Sequence, residues 1–238
     1  LLPADITGAM IPNLKTNEFV LRRGPLFSNI ILVDEINRAP AKTQSALLES
    51  MQEAQVTIEG VTERLPPPFM VLATQNPVEQ EGVYILPEAQ LDRFLFKIRM
   101  GYPSDESERA FLKLYNHAIP NIQGIISHAS LLRLCDGADS VYIDDELIDY
   151  IVRLSKATRH HGAVRLGASP RASLWLLKAA KAYGLLSGRT FVTPDDIRTV
   201  APFVLVHRII LTPEAELDGV QVQDILDESV QNTVFTSQ

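Results

Sequence analysis

Two adjacent carboxylates, Asp34 and Glu35, end the aliphatic run Ile30-Ile31-Leu32-Val33. An Asp that helps hold Mg²⁺, followed by a Glu that orients or activates a water, is the pairing that nucleotide hydrolysis asks for. A strand ending in a solvated acidic turn explains the same residues without chemistry. Asn76 stands just past a second strand-like run, Phe69-Met70-Val71-Leu72-Ala73-Thr74. Its amide could hold a water against a γ-phosphate, or serve only as an Asn-Pro turn. Arg93, between Asp92 and Phe94, reads as a surface arginine in an ion pair or as an arginine presented to a neighbouring subunit. Arg171 lies in the first turn of a helix, where a cation opposes the helix dipole at a cost of about 0.3–1 kcal/mol. A nearby anion would offset that cost; an ordinary surface arginine would bear it.

These residues need elements to position them. Both apolar runs read as strands buried on both faces, as in a parallel sheet covered by helices. Open α/β sheets bind ligands at the C-terminal ends of such strands, where Asp34, Glu35 and Asn76 lie. Residues 18–22 alternate as a strand, and Arg23-Gly24-Pro25 reads as a turn. Residues 43–55 have helical spacing, with Ala46, Leu47, Met51 and Ala54 apolar. Residues 56–58 and 61–65 form a hairpin around Glu59-Gly60, stopped by Pro66-Pro67-Pro68. A short helix starts near Pro87, and residues 95–100 read as a third strand. After Tyr102-Pro103-Ser104-Asp105 only helices are expected: 105–116 behind Ser104, 127–135, about 144–160, 170–186 behind Ser169, and one from Thr193-Pro194. The sequence therefore divides near Pro103, into an α/β part (1–103) and an all-α part (104–238).

Bulk properties narrow the function classes. The chain has 238 residues, 46% of them hydrophobic, and a formal charge of −7, which argues against a broadly basic nucleic-acid surface. The single cysteine, Cys135, sits in an apolar helical context and reads as a buried small hydrophobe. Low cysteine usage fits a reducing, cytoplasmic compartment, and no apolar run of about 18 residues is present to span a membrane. No signal peptide is visible, although the sequence starts at Leu1 without Met. His160, His161 and His128 do not form a metal-ligand pattern, because adjacent helical histidines point apart. Arg22 and Arg23 read as an exposed turn.

The order of these features resembles AAA+ ATPases, and the wording resembles the MoxR family: Ile31-Leu32-Val33-Asp34-Glu35-Ile36-Asn37-Arg38-Ala39-Pro40, Lys42-Thr43-Gln44-Ser45-Ala46-Leu47-Leu48-Glu49, Ala73-Thr74-Gln75-Asn76-Pro77, Leu86-Pro87-Glu88-Ala89-Gln90-Leu91-Asp92-Arg93-Phe94, and Gly167-Ala168-Ser169-Pro170-Arg171-Ala172. The resemblance implies an α/β fold, a P-loop NTPase-type parallel sheet incomplete at its N-terminus, followed by a small all-α lid domain. It implies ATP and Mg²⁺ as cofactors. Asp34 would hold Mg²⁺ through water, Glu35 would polarise the attacking water, and Asn76 would position it. Arg93 would reach the ATP of the next subunit, and Arg171 the γ-phosphate of its own. Residues 19–27 resemble the family's helix-2 insert, and residues 56–65 its hairpin before sensor 1. A homo-oligomeric ring, typically a hexamer, is implied, with a protein substrate and often a von Willebrand factor A partner or metal insertion into a target enzyme.

A Gly-x4-Gly-Lys-Ser/Thr loop is absent from the sequence. The family's loop belongs upstream of Leu1, so this polypeptide alone is expected to bind ATP weakly or not at all. A sheet without its first strand and helix is expected to expose an apolar edge and face. A scaffold that lost its P-loop is an alternative, but five retained polar residues argue against it. A DNA-acting AAA+ motor is another. Its hairpin would need basic residues, and here Arg64 is set against Glu59 and Glu63.

Overall fold

The computed structural model describes residues 2–76, 84–117 and 122–235. Leu1, Pro77 and the last three residues of the tail lie outside them. The chain forms two compact units, Leu1–Phe94 and Leu95–Gln238; the change of character read from the sequence falls at Pro103.

The first unit opens with a short helix α1 (Pro3–Thr7) and an antiparallel hairpin of β1 (Gly8–Asn13) and β2 (Glu18–Arg23). Its base admits only glycine at position 8, where φ is +94° and a Cβ would come within 2.2 Å of the Arg22 carbonyl oxygen. Strand β3 (Ile30–Val33) pairs in parallel with β6 (Met70–Ala73), Val33 opposite Ala73. Between them lie helix α2 (Ala41–Glu53) and the hairpin of β4 (Gln55–Ile58) and β5 (Val61–Arg64). The Glu59-Gly60 turn takes φ of 49° and 85°, as a two-residue hairpin with a primed turn requires. The Asn29 side-chain amide donates to the carbonyls of Pro66, Pro67 and Pro68 at 3.0–3.1 Å, which seats the proline run before β6 enters the sheet. A short helix α3 (Glu88–Leu91) follows, with Pro87 at its N-cap rather than inside its first turn.

Two expectations are corrected here. The strands are covered on one face and not on both; the other is an exposed apolar face of the kind the sequence leads one to expect. Ile31, Val33, Val71 and Ala73 pack on a core of Leu26, Ile36, Leu47, Leu48, Val56 and Leu65. The alternate side chains Ile30, Leu32, Met70 and Leu72 are exposed, Leu32 by 70%, since among the described residues no layer lies over that face. Residues 95–100 form no strand. They alternate in character but lack a partner ladder, and a strand is held by one. The Lys97 N–H instead donates to the Phe203 carbonyl at 3.0 Å, and Leu95 packs on the core of the second unit.

That second unit is mainly helical: α4 (Asp105–His117), α5 (His128–Asp139), α6 (Asp145–His160), α7 (Pro170–Leu186), α8 (Pro194–Leu205), α9 (Pro213–Leu217) and α10 (Val222–Asn232). Ser127, Asp144, Ser169, Thr193 and Thr212 each accept a backbone N–H at an N-cap, and α7, α8 and α9 add Pro in the first turn. The core gathers Tyr150, Leu154, Leu176, Ile197, Val204 and Leu205. It is not purely helical, however. Strands β7 (Val164–Leu166) and β8 (Ile210–Leu211) pair, and Tyr142 bridges Phe191. Cys135 is exposed rather than buried, because α5 packs shallowly and has no fully buried residue.

Candidate functional site

The parallel register places the end of β3 beside the end of β6. The Thr74 N–H donates to the Val33 carbonyl at 2.9 Å, and the Ile36 N–H donates to the Thr74 carbonyl at 3.0 Å. The Thr74 hydroxyl donates to Asp34 Oδ1 at 2.5 Å and accepts the Glu35 N–H at 2.9 Å. The chain turns sharply here, and Glu35 adopts the left-handed conformation (φ 51°, ψ 54°). For a residue with a Cβ this costs about 1–2 kcal/mol, and such strain persists only where neighbours over-determine it. The Thr74 bonds supply that restraint, with the Arg38 N–H to the Glu35 carbonyl at 2.8 Å. The Glu35 carboxylate forms an ion pair with Arg38 Nε at 3.1 Å, both groups facing solvent in part.

Asp34 and Glu35 are thus together at one strand end. Asn76 lies two residues beyond Thr74 and is half-buried. Beside this corner is a mainly apolar hollow of about 180 Å³ lined by Ile6, Leu26, Ile31, Val33 and Leu47, with Asp34, Glu35, Arg38, Thr43 and Gln44 also on its wall.

Arg93 is not at the corner. Its guanidinium donates to the Leu48 carbonyl of α2 at 3.1 Å, in a hollow shared with Ser45, Glu49 and Gln90. Its Nε is buried without a hydrogen-bond partner. One residue ties the two places together. The Gln44 amide, on a residue 2% exposed, donates at 3.1 Å to both the Ile36 carbonyl and the Tyr84 carbonyl. The Tyr84 N–H returns a 2.6 Å bond to the Asn37 carbonyl. The loop after Glu35 and the segment leading to Arg93 are therefore both fastened to α2.

Arg171 belongs to the second unit, at the start of α7. The turn before it is clamped on α6. The Ala168 N–H donates to Thr158 Oγ1 at 3.0 Å, and Arg159 Nε donates to the Ala168 carbonyl at 2.6 Å. Gly167 fits because a Cβ there would meet Arg159 Cα at 2.6 Å. Ser169 Oγ caps the helix through the Ala172 N–H at 3.1 Å. His161 accepts the Ala163 N–H on Nδ1, which leaves Nε2 as the donor to Glu228 in the neutral ring.

Thr74, Gln44 and Arg38 escape a reading of the sequence that looks for chemistry. Thr74 is the one hydroxyl in the run 69–74 and stands just past the end of β6, and that is its only signal. No group of three His, Cys, Asp or Glu side chains arranged to hold a metal ion occurs among the described residues. No helix among them is long and apolar enough to cross a membrane.

The comparisons with known proteins fit both units. Residues 1–96 match the model of the ATPase family associated with various cellular activities (AAA), and residues 156–229 match the AAA lid domain. The chain is 52% identical to protein YeaC of Bacillus subtilis over 96% of its own length and 72% of that protein. It is 46% identical to the chaperone MoxR1 of Mycobacterium tuberculosis over 99% of its length, and spans 65% of that relative. A crystal structure of a candidate ATPase from Cytophaga hutchinsonii superposes with a TM-score of 0.93 at 44% identity, covering all of this chain and 75% of the other. Helical lid, parallel strand pair and sequence agree: the chain belongs to the MoxR family of AAA+ ATPases.

Proposed function

We propose that the protein hydrolyses ATP with Mg²⁺ at the Asp34–Glu35 corner and couples the reaction to chaperone-like remodelling or activation of a partner protein. The observation that carries this reading is the junction of the two strand ends, where Thr74 holds Asp34 and the strained Glu35 side by side. Asp34 Oδ1 accepts the Thr74 hydroxyl hydrogen bond, which leaves the other oxygen for a hydrated cation. Mg²⁺, when bound, neutralises charge on the phosphates. Glu35 then acts as the group that polarises the attacking water, and Asn76 holds that water through its amide. Arg93 is presented to the ATP of the next subunit in a homo-oligomeric ring, a hexamer, and Arg171 contacts the γ-phosphate of its own. An arginine supplied in trans is worth about 10³–10⁵ in rate, so turnover depends on assembly. The chaperone identity of the mycobacterial relative supports a protein substrate. A von Willebrand factor A domain partner, metal insertion into a target enzyme and maturation of a complex are the forms of that work we propose.

The test is Glu35→Gln in the natural full-length protein. The variant is expected to bind ATP as the wild type does and to lose at least about 100-fold in turnover, the scale of general-base loss. Retained turnover would remove Glu35 from this role.

A further inference from the structure

We propose that Thr74 is a positioning residue for the hydrolytic site, acting through its hydroxyl on both carboxylate residues at once; this rests on the reading of Asp34 and Glu35 given above. The direction of its hydrogen bonds follows from the partners. A backbone N–H can only donate, so the Glu35 N–H at 2.9 Å must give its proton to Thr74 Oγ1. An ionised carboxylate can only accept, so the hydroxyl proton must point at Asp34 Oδ1, 2.5 Å away. A hydroxyl that donates to an ionised carboxylate makes a charge-assisted hydrogen bond.

Two consequences follow for the chemistry. With Oδ1 engaged, the Asp34 carboxylate is fixed in rotation and presents a single edge outward, which sets where a hydrated cation can sit. With its N–H engaged, Glu35 is kept in the left-handed conformation that sets where its side chain leaves the backbone. Thr74 also carries the in-plane backbone bonds to Val33 and Ile36. It is therefore the point at which β6, the strand leading to Asn76, sets the geometry of the β3 end. A shift of β6 would move the metal-facing carboxylate and the base together. Serine has the same hydroxyl, whereas valine has the same shape without it.

The experiment uses the natural full-length protein and compares Thr74→Val, Thr74→Ser and Glu35→Gln in steady-state Mg²⁺–ATP hydrolysis. Far-UV circular dichroism and size-exclusion chromatography check fold and assembly. Thr74→Val is expected to lower kcat by about 10-fold or more, as loss of one placed hydrogen bond of this class does. KM for ATP stays within about twofold, and the Mg²⁺ concentration for half-maximal rate rises. Thr74→Ser restores kcat to within about threefold. The proposal is overturned if Thr74→Val keeps wild-type kcat and Mg²⁺ dependence while Glu35→Gln abolishes turnover. It is also overturned if serine falls as far as valine, since the hydroxyl is then not the agent. A Thr74→Val protein that unfolds is replaced by Thr74→Ala under the same criteria, and if both unfold the role is structural and the proposal fails. Full turnover in Glu35→Gln removes the parent reading and this one with it.

Discussion

The two units hold their important residues by different means. In Leu95–Gln238 a closed apolar core of Tyr150, Leu154, Leu176 and Leu205 carries the helices, and Arg171 inherits its position from how α7 packs on α6. In Leu1–Phe94 one face of the strand pair is open, and the Asp34–Glu35 corner is set by a few polar ties from Thr74, Gln44 and Arg38. The lesson is that a packed core fixes an element as a whole, whereas a strained polar corner has to be fixed atom by atom. Single substitutions should accordingly cost most in stability where charge is buried in the second unit, and less and less toward the corner. Trp175, the single tryptophan, lies in α7, so its fluorescence follows the second unit alone.

The largest stability effect is expected at Asp196. Its carboxylate is nearly buried, takes two 2.6 Å bonds from Arg189 and one of 2.7 Å from the Thr193 N–H, and closes the capping box of α8. Asp196→Ala strands a cation at the core margin and removes the N3 half of the capping box while the Thr193 cap remains, for a loss of about 3 kcal/mol seen as an earlier Trp175 transition in urea. Burial alone would raise the Asp196 pKa, but the Arg189 and Thr193 bonds outweigh it and hold it below the usual value. A lowered folded pKa gives stability that is present above the unfolded value, near 4, and is lost as pH falls through the folded one. The second unit of the wild type should therefore weaken below about pH 4, and Asp196→Ala should flatten that dependence. An unchanged acid limb would show that the pair contributes nothing.

Next in size is Gln44→Leu. Leucine fills the space but leaves the Tyr84 carbonyl without its donor and the Ile36 carbonyl with the Ala39 N–H alone, a cost of about 1–3 kcal/mol confined to the first unit. Hydrogen exchange of residues 30–58 should quicken while Trp175 fluorescence stays unmoved. Movement of both would mean that the two units unfold as one and would end the comparison.

What the sequence makes legible follows the same division. The helix starts at Ser169-Pro170 and Thr193-Pro194 are local chemistry, cap plus proline, and the chain obeys them. The apolar runs that become β3 and β6, and their parallel pairing, are equally plain. An exposed apolar face is expected as well, but not which side chains lie on it, because alternation is invisible in a run where every residue is apolar. Residues 95–100 show the reverse failure: their alternation is local, but a strand needs a partner elsewhere in the chain. Thr74 and Gln44 look like an ordinary strand residue and an ordinary helix residue. Their roles depend on the register of Val33 with Ala73 and on the path of residues 84–91, which are non-local facts. Asp34, Glu35, Asn76, Arg93 and Arg171 stand out in the sequence as candidates by type and order; the ties that hold Asp34, Glu35 and Arg93 do not.

The strain at Glu35 gives a smaller and sharper test. Glu35→Ala and Glu35→Gly both remove the carboxylate, and only glycine accepts φ 51° without steric cost. The glycine variant should be the more stable by about 1 kcal/mol, less the chain entropy it loses on folding. Equal stabilities would mean that the corner relaxes once the side chain is gone, and that the Thr74 bonds do not hold it.

Arg38→Ala should have the smallest effect, although it removes the residue nearest in charge to Glu35. The pair is exposed on both sides, three residues apart, with an N···O distance of 3.1 Å. Such pairs contribute between zero and about 1 kcal/mol, and salt screens them. The expected loss is under about 0.5 kcal/mol in low salt, vanishing near 1 M NaCl. A loss above about 1 kcal/mol that survives high salt would place the ion pair among the ties that set the corner. The corner would then be locked by charge as Asp196 is, and the contrast between the two units would reduce to one of size.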